Sequence, residues 1–121
     1  MKLKVLVVAL LMVLALSVIS DAQQSTTAIS SGPFTSSQVI AGRPARLVDV
    51  GVQTDGTAAV TVLIYDNATT ASGRVIAFAY APSGTKVAGW NCPIPSMATN
   101  GLYAAVSGTG VTRVLVSFDP Q

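Results

Sequence analysis

The sequence contains no histidine and no glutamate, only one cysteine, and few charges of either sign. Without histidine the chain cannot form a Ser-His-Asp or Cys-His catalytic unit, nor a Cys/His zinc site. A single cysteine cannot close a disulfide within the chain. Charged residues make up 10% of the 121 residues, against about 25% in a typical soluble protein. These absences favour a protein that acts through its surface over an enzyme.

Four aspartates are the acidic residues that remain beyond residue 22: Asp49, Asp55, Asp66 and Asp119. Their spacing contains no Asp-x-Asp-x-Asp pattern of a calcium-binding loop. Asp55 and Asp66 stand where aspartate commonly caps a turn. The sequence therefore predicts no catalytic residue, no cofactor and no metal site. We expect Asp49 to point outward, either into solvent or towards Arg74 or Arg113.

Residues 1–22 have the order of a secretory signal peptide. Lys2 and Lys4 precede an apolar run from Val5 to Leu16, and small residues precede a cut after Ala22. The apolar run is shorter than the roughly 20 residues that cross a membrane. We therefore predict a cleaved signal peptide, with an uncleaved hydrophobic anchor as the alternative. Contact with a membrane is expected only through these residues, and only if they are retained.

Removing residues 1–22 leaves five cations and four aspartates, a net charge of +1. The five cations are scattered singly along the chain. A protein that binds nucleic acid needs a clustered basic surface to displace the counterions of the phosphates. We therefore expect no nucleic-acid partner.

Residues 23–37 are predicted to form an arm or linker, because eight of the thirteen residues from Ser25 to Ser37 are serine or threonine. Such a segment buries too little apolar surface to offset its ordering entropy. Two interpretations remain open. The segment is a flexible linker, or it is an arm that becomes ordered against a neighbouring subunit, with Ile29 and Phe34 as anchors.

Residues 38–121 alternate between apolar and polar side chains, which is the period of half-buried β-strands. Two three-residue glycine loops, 54–56 and 108–110, predict two hairpins. The first hairpin would place Val50 opposite Val60, and the second would place Leu102 opposite Val116. Two further strands are predicted at Arg74–Tyr80, with Ile76, Phe78 and Tyr80 on one face, and at Val87–Cys92. The predicted core is Val48, Val50, Val60, Val62, Ile64, Leu102, Val106, Val114 and Val116.

This pattern predicts an all-β fold, an antiparallel β-sandwich or jelly-roll-like domain of about 6–8 short strands. Five stretches of the sequence carry a resemblance to known proteins: Ala45–Val50, Thr57–Ile64, Tyr65–Thr69, Ser72–Ile76 and Asn100–Tyr103. In this order, with a Tyr-Asp corner after a strand and Asn-Gly-Leu-Tyr before the last hairpin, the chain resembles a class of small phage-encoded β-sandwich proteins. The resemblance covers roughly residues 40–118. It implies a virion component, such as a capsid decoration protein or a fibre or spike module, without catalysis.

The candidate contact residues fall into two groups. Phe34, Arg43, Arg46 and Cys92 are candidate assembly contacts; Cys92 is either a small buried hydrophobe or a link between subunits. The candidate surface aromatics are Tyr65, Tyr80, Trp90 and Tyr103. They either stack on a sugar or, in the simpler interpretation, Trp90 fills the core and the tyrosines lie at strand ends.

Two functions follow as expectations. The first is a non-enzymatic structural protein of a bacteriophage virion, which binds copies of itself, as a trimer or part of a larger shell, and other virion proteins. Its sparse charge suits a surface that neighbours cover, since charged residues are depleted at interface cores. The second is a secreted or cell-surface module that binds a carbohydrate or a host. The leader favours this second function, because virion proteins of tailed phages normally lack one.

Overall fold

The computed structural model describes residues 28–121, without the side chains of residues 91–95. This part of the chain forms eight β-strands and no helix, and therefore contains no helix that could cross a membrane. The predicted leader at residues 1–22 lies outside the described residues. The strands are β1 (Ile29–Ser30), β2 (Gln38–Ala41), β3 (Ala45–Thr54), β4 (Val60–Asp66), β5 (Val75–Ala81), β6 (Val87–Ala98), β7 (Leu102–Ser107) and β8 (Val111–Pro120).

The strands form two four-stranded antiparallel sheets that pack as a sandwich, which confirms the predicted fold class. Sheet A has the order β1-β8-β3-β6 and sheet B the order β2-β7-β4-β5. The last strands of the two sheets, β6 and β5, lie close together at the same side of the sandwich. Each is hydrogen-bonded to a neighbouring strand on one side only.

Both predicted hairpins are wrong. β3 and β4 lie in different sheets, and so do β7 and β8. The two glycine-containing loops carry the chain from one sheet to the other, and they meet where the amide of Asp55 donates to the carbonyl of Gly110 over 2.8 Å. Alternation shows which side of a strand is buried, but it does not show which strand is its neighbour. Gly56 has the positive φ expected of it, at 83°.

The core lies between the sheets and contains most of the residues predicted for it. Seven are at most 1% exposed: Val50, Val60, Val62, Ile64, Leu102, Val114 and Val116. Val106 is partly buried against the same core. The prediction for Val48 is wrong, because the pairing of β3 shifts between Leu47 and Asp49. This β-bulge lets Leu47 and Val50 both face inward, while Val48 is only half-buried.

β5 turns its small residues towards the core and its largest ones away from it. Its inward residues are the small Ala77, Ala79 and Ala81, all at most 4% exposed. Its largest side chains, Phe78 and Tyr80, share a face as predicted, but that face points away from the core. Ile76 does not share it, since it packs partly against the core.

Residues 28–37 belong to the domain. β1 pairs with β8, and Phe34 exchanges backbone hydrogen bonds with Val114, at 3.1 and 2.7 Å. The Phe34 side chain is buried in the chain's own core. This corrects the expectation that Phe34 inserts into a neighbouring subunit, because its ring already fills space between the sheets of its own chain.

Candidate functional site

The outer surface of sheet B carries a grid of apolar and aromatic side chains. Directly opposed residues on antiparallel strands point to the same side of the sheet, so the register defines three rows across it. The rows are Val39-Tyr103-Tyr65-Val75, then Ala105-Leu63-Phe78, then Ser107-Thr61-Tyr80. We call the surface formed by these ten residues the aromatic face.

Five of the ten residues of the aromatic face are exposed and five are half-buried, and none of them is charged. Phe78 is 56% exposed and Tyr80 is 51% exposed, and they lie two residues apart on the edge strand β5. Val39 and Val75, at the ends of the first row, are each 45% exposed. With strands about 4.8 Å apart and outward residues about 6.7 Å apart along a strand, the face measures roughly 300–400 Å². This is about the size of the largest apolar patch on a typical single chain, a patch that is often functional.

Three of the four predicted surface aromatics meet on this face: Tyr65, Tyr80 and Tyr103. They come from three different strands, which the register places side by side. Sequence reasoning missed Phe78 and Leu63 as members of the site. The alternation of alanine with large residues along β5 is the signal that could have identified Phe78 as outward.

Trp90 does not join them, because it lies on β6 of sheet A and packs partly against the core. It also borders an open trough of about 580 Å³ on the outer surface of sheet A. The floor of this trough is bare backbone where Gly51 lies opposite Gly89. Asp49 lines the trough and forms no ion pair with Arg74 or Arg113 among the described residues.

The candidate assembly residues do not form one cluster. The Arg46 guanidinium forms an ion pair with the Asp119 carboxylate at 2.6 Å. Arg43 is exposed in the connection between β2 and β3. Cys92 lies in β6, and its side chain is outside the described part of the structure. Phe34 is a core residue.

Asp66 is the one charged residue whose side chain is buried among those that the structure describes, at 7% exposure. Its carboxylate accepts hydrogen bonds from the Arg74 guanidinium at 3.1 Å, the Thr99 hydroxyl at 3.1 Å and the Asn100 amide at 2.9 Å. Burial by itself raises its pKa, but the amides of Asn100 and Thr99, together with Arg74, outweigh burial and lower the pKa to about 2. Asp66 therefore joins the end of β4 to the loop before β7.

Asp55 caps its own turn, accepting from the hydroxyl and the amide of Thr57 at 2.6 and 2.9 Å. The Thr57 hydroxyl is the main reason why the pKa of Asp55 is lowered. Asp55 and Asp66 thus both serve local structure. Among the side chains that the structure describes, no three potential metal ligands come together.

No protein-family model matches this chain, and no curated protein or solved structure is significantly similar to it.

Proposed function

We propose that this protein is a non-enzymatic structural protein that acts by assembly, as a component of a bacteriophage virion. Its partners are further copies of itself and other virion proteins. The aromatic face is the observation that supports this proposal. A neighbouring subunit covers it in the assembled particle and removes its apolar side chains from water.

The chemistry of the face favours a protein partner. Its polar groups are the hydroxyls of its tyrosines, Thr61 and Ser107, with no carboxylate, amide or guanidinium side chain among them. The cores of protein interfaces are similarly depleted in charge and enriched in aromatic residues. Burying apolar surface contributes about 25 cal/mol per Å², so covering such a face drives association without any specific ion pair.

A second candidate function is a secreted or cell-surface module that binds carbohydrate. The convergence of Tyr65, Tyr80 and Tyr103 on one exposed face favours it, because flat aromatic rings suit stacking against sugar rings. The two proposals differ in the expected state of the free protein. The virion protein is an oligomer, whereas the sugar-binding module is a monomer that retains an accessible aromatic face.

Leu63→Lys is expected to weaken strongly the association that proceeds through the aromatic face. Leu63 lies at the centre of the aromatic face, on the interior strand β4, and a lysine there places a charge that the interface would have to desolvate. Sedimentation velocity over a range of micromolar concentrations measures the effect. The matched control is Leu115→Lys, because Leu115 is also half-buried and outward on an interior strand, β8 of sheet A.

Equal loss of association in both variants, with unchanged circular dichroism, would count against the aromatic face as the interface. A monomeric unmodified chain would count against assembly, and glycan-array binding that Leu63→Lys removes would then support the carbohydrate alternative. Intact-mass and sizing analysis of material from the native source tests cleavage after Ala22 and the assembled state together.

A further inference from the structure

The two sheets have four edge strands, and three of them are protected against pairing with another chain. β1 contains two residues, and β2 contains four with a register shift. β6 carries Pro93 and Pro95, which lack the amide hydrogen that a pairing strand needs. Short length, bulges and prolines are the usual means by which proteins protect sheet edges.

β5 has none of these protections along most of its length. It is seven residues long, contains no charge and no proline, and is bonded to β4 on one side only. Its one register shift lies at its start, opposite Ile64 and Tyr65. The nearest cation is Arg74, whose guanidinium is held by the carboxylate of Asp66 and the carbonyl of Met97.

The sequence of β5 is complementary to itself. In an antiparallel pair centred on Ala79, Phe78 of each copy lies opposite Tyr80 of the other, and Ala77 lies opposite Ala81. Every pair then joins residues of one face, because Ala77, Ala79 and Ala81 point inward while Phe78 and Tyr80 point outward. Centring the pair on Phe78 instead would set the core-facing Ile76 opposite the outward Tyr80. Among the registers centred on a residue of β5, only this one pairs all of residues 77–81 within the strand and on matching faces.

From this we propose that β5 is a self-pairing edge, at which two copies of this chain join antiparallel about a two-fold axis. The inference rests on the proposed assembly role and names the contact through which the first pair of subunits forms. Sheet B then continues from one copy into the other as an eight-stranded sheet. The prolines of β6 prevent sheet A from continuing at the same side of the sandwich.

The pairing satisfies two requirements at once. It supplies partners for the outward backbone groups of β5, and it forms two cross-strand Phe-Tyr pairs, a favourable combination on adjacent strands. It also joins the aromatic faces of the two copies into one continuous surface. Because a two-fold contact uses the same surface on both subunits, this dimer is closed at its edge, and further assembly proceeds through the enlarged aromatic face.

Cysteine cross-linking tests the register. Phe78→Cys and Tyr80→Cys are made separately in the full chain, each with Cys92→Ser, and are then mixed and oxidised. Directly opposed residues have Cα atoms about 4.5–5.5 Å apart, within disulfide range, whereas the diagonal contact between two copies of one position is about 7–8 Å. The mixture is expected to give a disulfide-linked pair at twice the mass of one chain, and each variant alone is not.

Leu63→Cys with Cys92→Ser is the matched control, since position 63 lies on the same face but on β4. Across the proposed pair the two copies of β4 are three strand spacings apart, about 14 Å, so no cross-link is expected. Hydrogen exchange on the unmodified chain is a second measurement. Amides of β5 should become more protected as protein concentration rises, while those of β2 should not.

The outcomes separate the two proposals. A monomeric unmodified chain overturns both. An oligomer without the mixed cross-link and without concentration-dependent protection of β5 overturns the self-pairing edge and leaves assembly standing. Cross-linking of Leu63→Cys to itself, without the mixed cross-link between positions 78 and 80, likewise overturns the edge contact, because the aromatic faces would then pack on each other in its place.

Discussion

Ile64→Ala is expected to destabilise the domain by about 2–5 kcal/mol, the range for removing a large aliphatic side chain from a protein core. Ile64 is fully buried in β4, an interior strand of sheet B. Its directly opposed neighbours are Ala77 on β5 and Ala104 on β7. Alanine has no rotatable side chain that could move into the vacated volume, so we expect most of the cavity to persist. Urea denaturation followed by circular dichroism measures the loss.

The neighbouring residue of the same strand provides the control. Leu63→Ala removes a side chain of the same size from the outward side of β4, where it is only half-buried. We expect a clearly smaller loss of unfolding free energy, about 1 kcal/mol or less, when it is measured at concentrations too low for association. Equal losses at positions 63 and 64 would contradict the assignment of the two sides of β4.

Strand alternation was sufficient to predict the fold class and most of the core. Val60, Val62 and Ile64 alternate with polar or less buried neighbours along β4, and the structure buries all three. A period of two requires one face to be buried, whichever strands lie beside it. This is why the core prediction held although the predicted hairpins did not form.

Strand pairing was not predictable in the same way. Loops 54–56 and 108–110 have glycine at the positions where a hairpin turn would need it, yet both carry the chain across the sandwich. The hydrogen bond from Asp55 to Gly110 joins these two loops, which are far apart in sequence. A local pattern contains no information about that distant partner.

The candidate site could not be predicted as one surface, because its residues come together only through strand pairing. Tyr65, Tyr80 and Tyr103 were each identifiable as candidate surface aromatics, but only the register of β4 with β5 and β7 places them on one face. The inward alanines of β5 place Phe78 on the outward side of the strand. The bulge beside Val48 likewise shifted the alternation of β3 in a way that its sequence does not reveal.

Asp66→Asn is expected to remove about 2–3 kcal/mol of unfolding free energy at neutral pH. The carboxylate of Asp66 is buried and accepts three hydrogen bonds, from Arg74, Thr99 and Asn100. Hydrogen bonds to a charged group are worth more than neutral ones, and a buried donor left without its acceptor is costly. An asparagine at this position keeps the shape but loses the charge, and its amide nitrogen faces a donor.

Asp66 also makes the unfolding free energy of the domain fall at acidic pH. Its pKa falls from the ordinary 3.8 in the unfolded chain to about 2 in the folded one, which corresponds to about 2 kcal/mol. A lowered pKa means that the unfolded state binds the proton more readily. The contribution is therefore present above pH 3.8 and is lost as the pH falls through about 2.

Denaturant titrations at pH values from 7 down to 2 measure both effects. The unmodified chain should lose stability steeply below about pH 4, whereas Asp66→Asn should start lower and depend less on pH over that interval. Asp55→Asn is the control, because the pKa of Asp55 is also lowered but its side chain is exposed, so little change is expected. Parallel pH profiles for the unmodified chain and Asp66→Asn would show that Asp66 is not the group whose protonation weakens the fold. If the steep loss of stability at acidic pH disappears only in Asp66→Asn, that loss arises at the junction between β4 and the loop before β7.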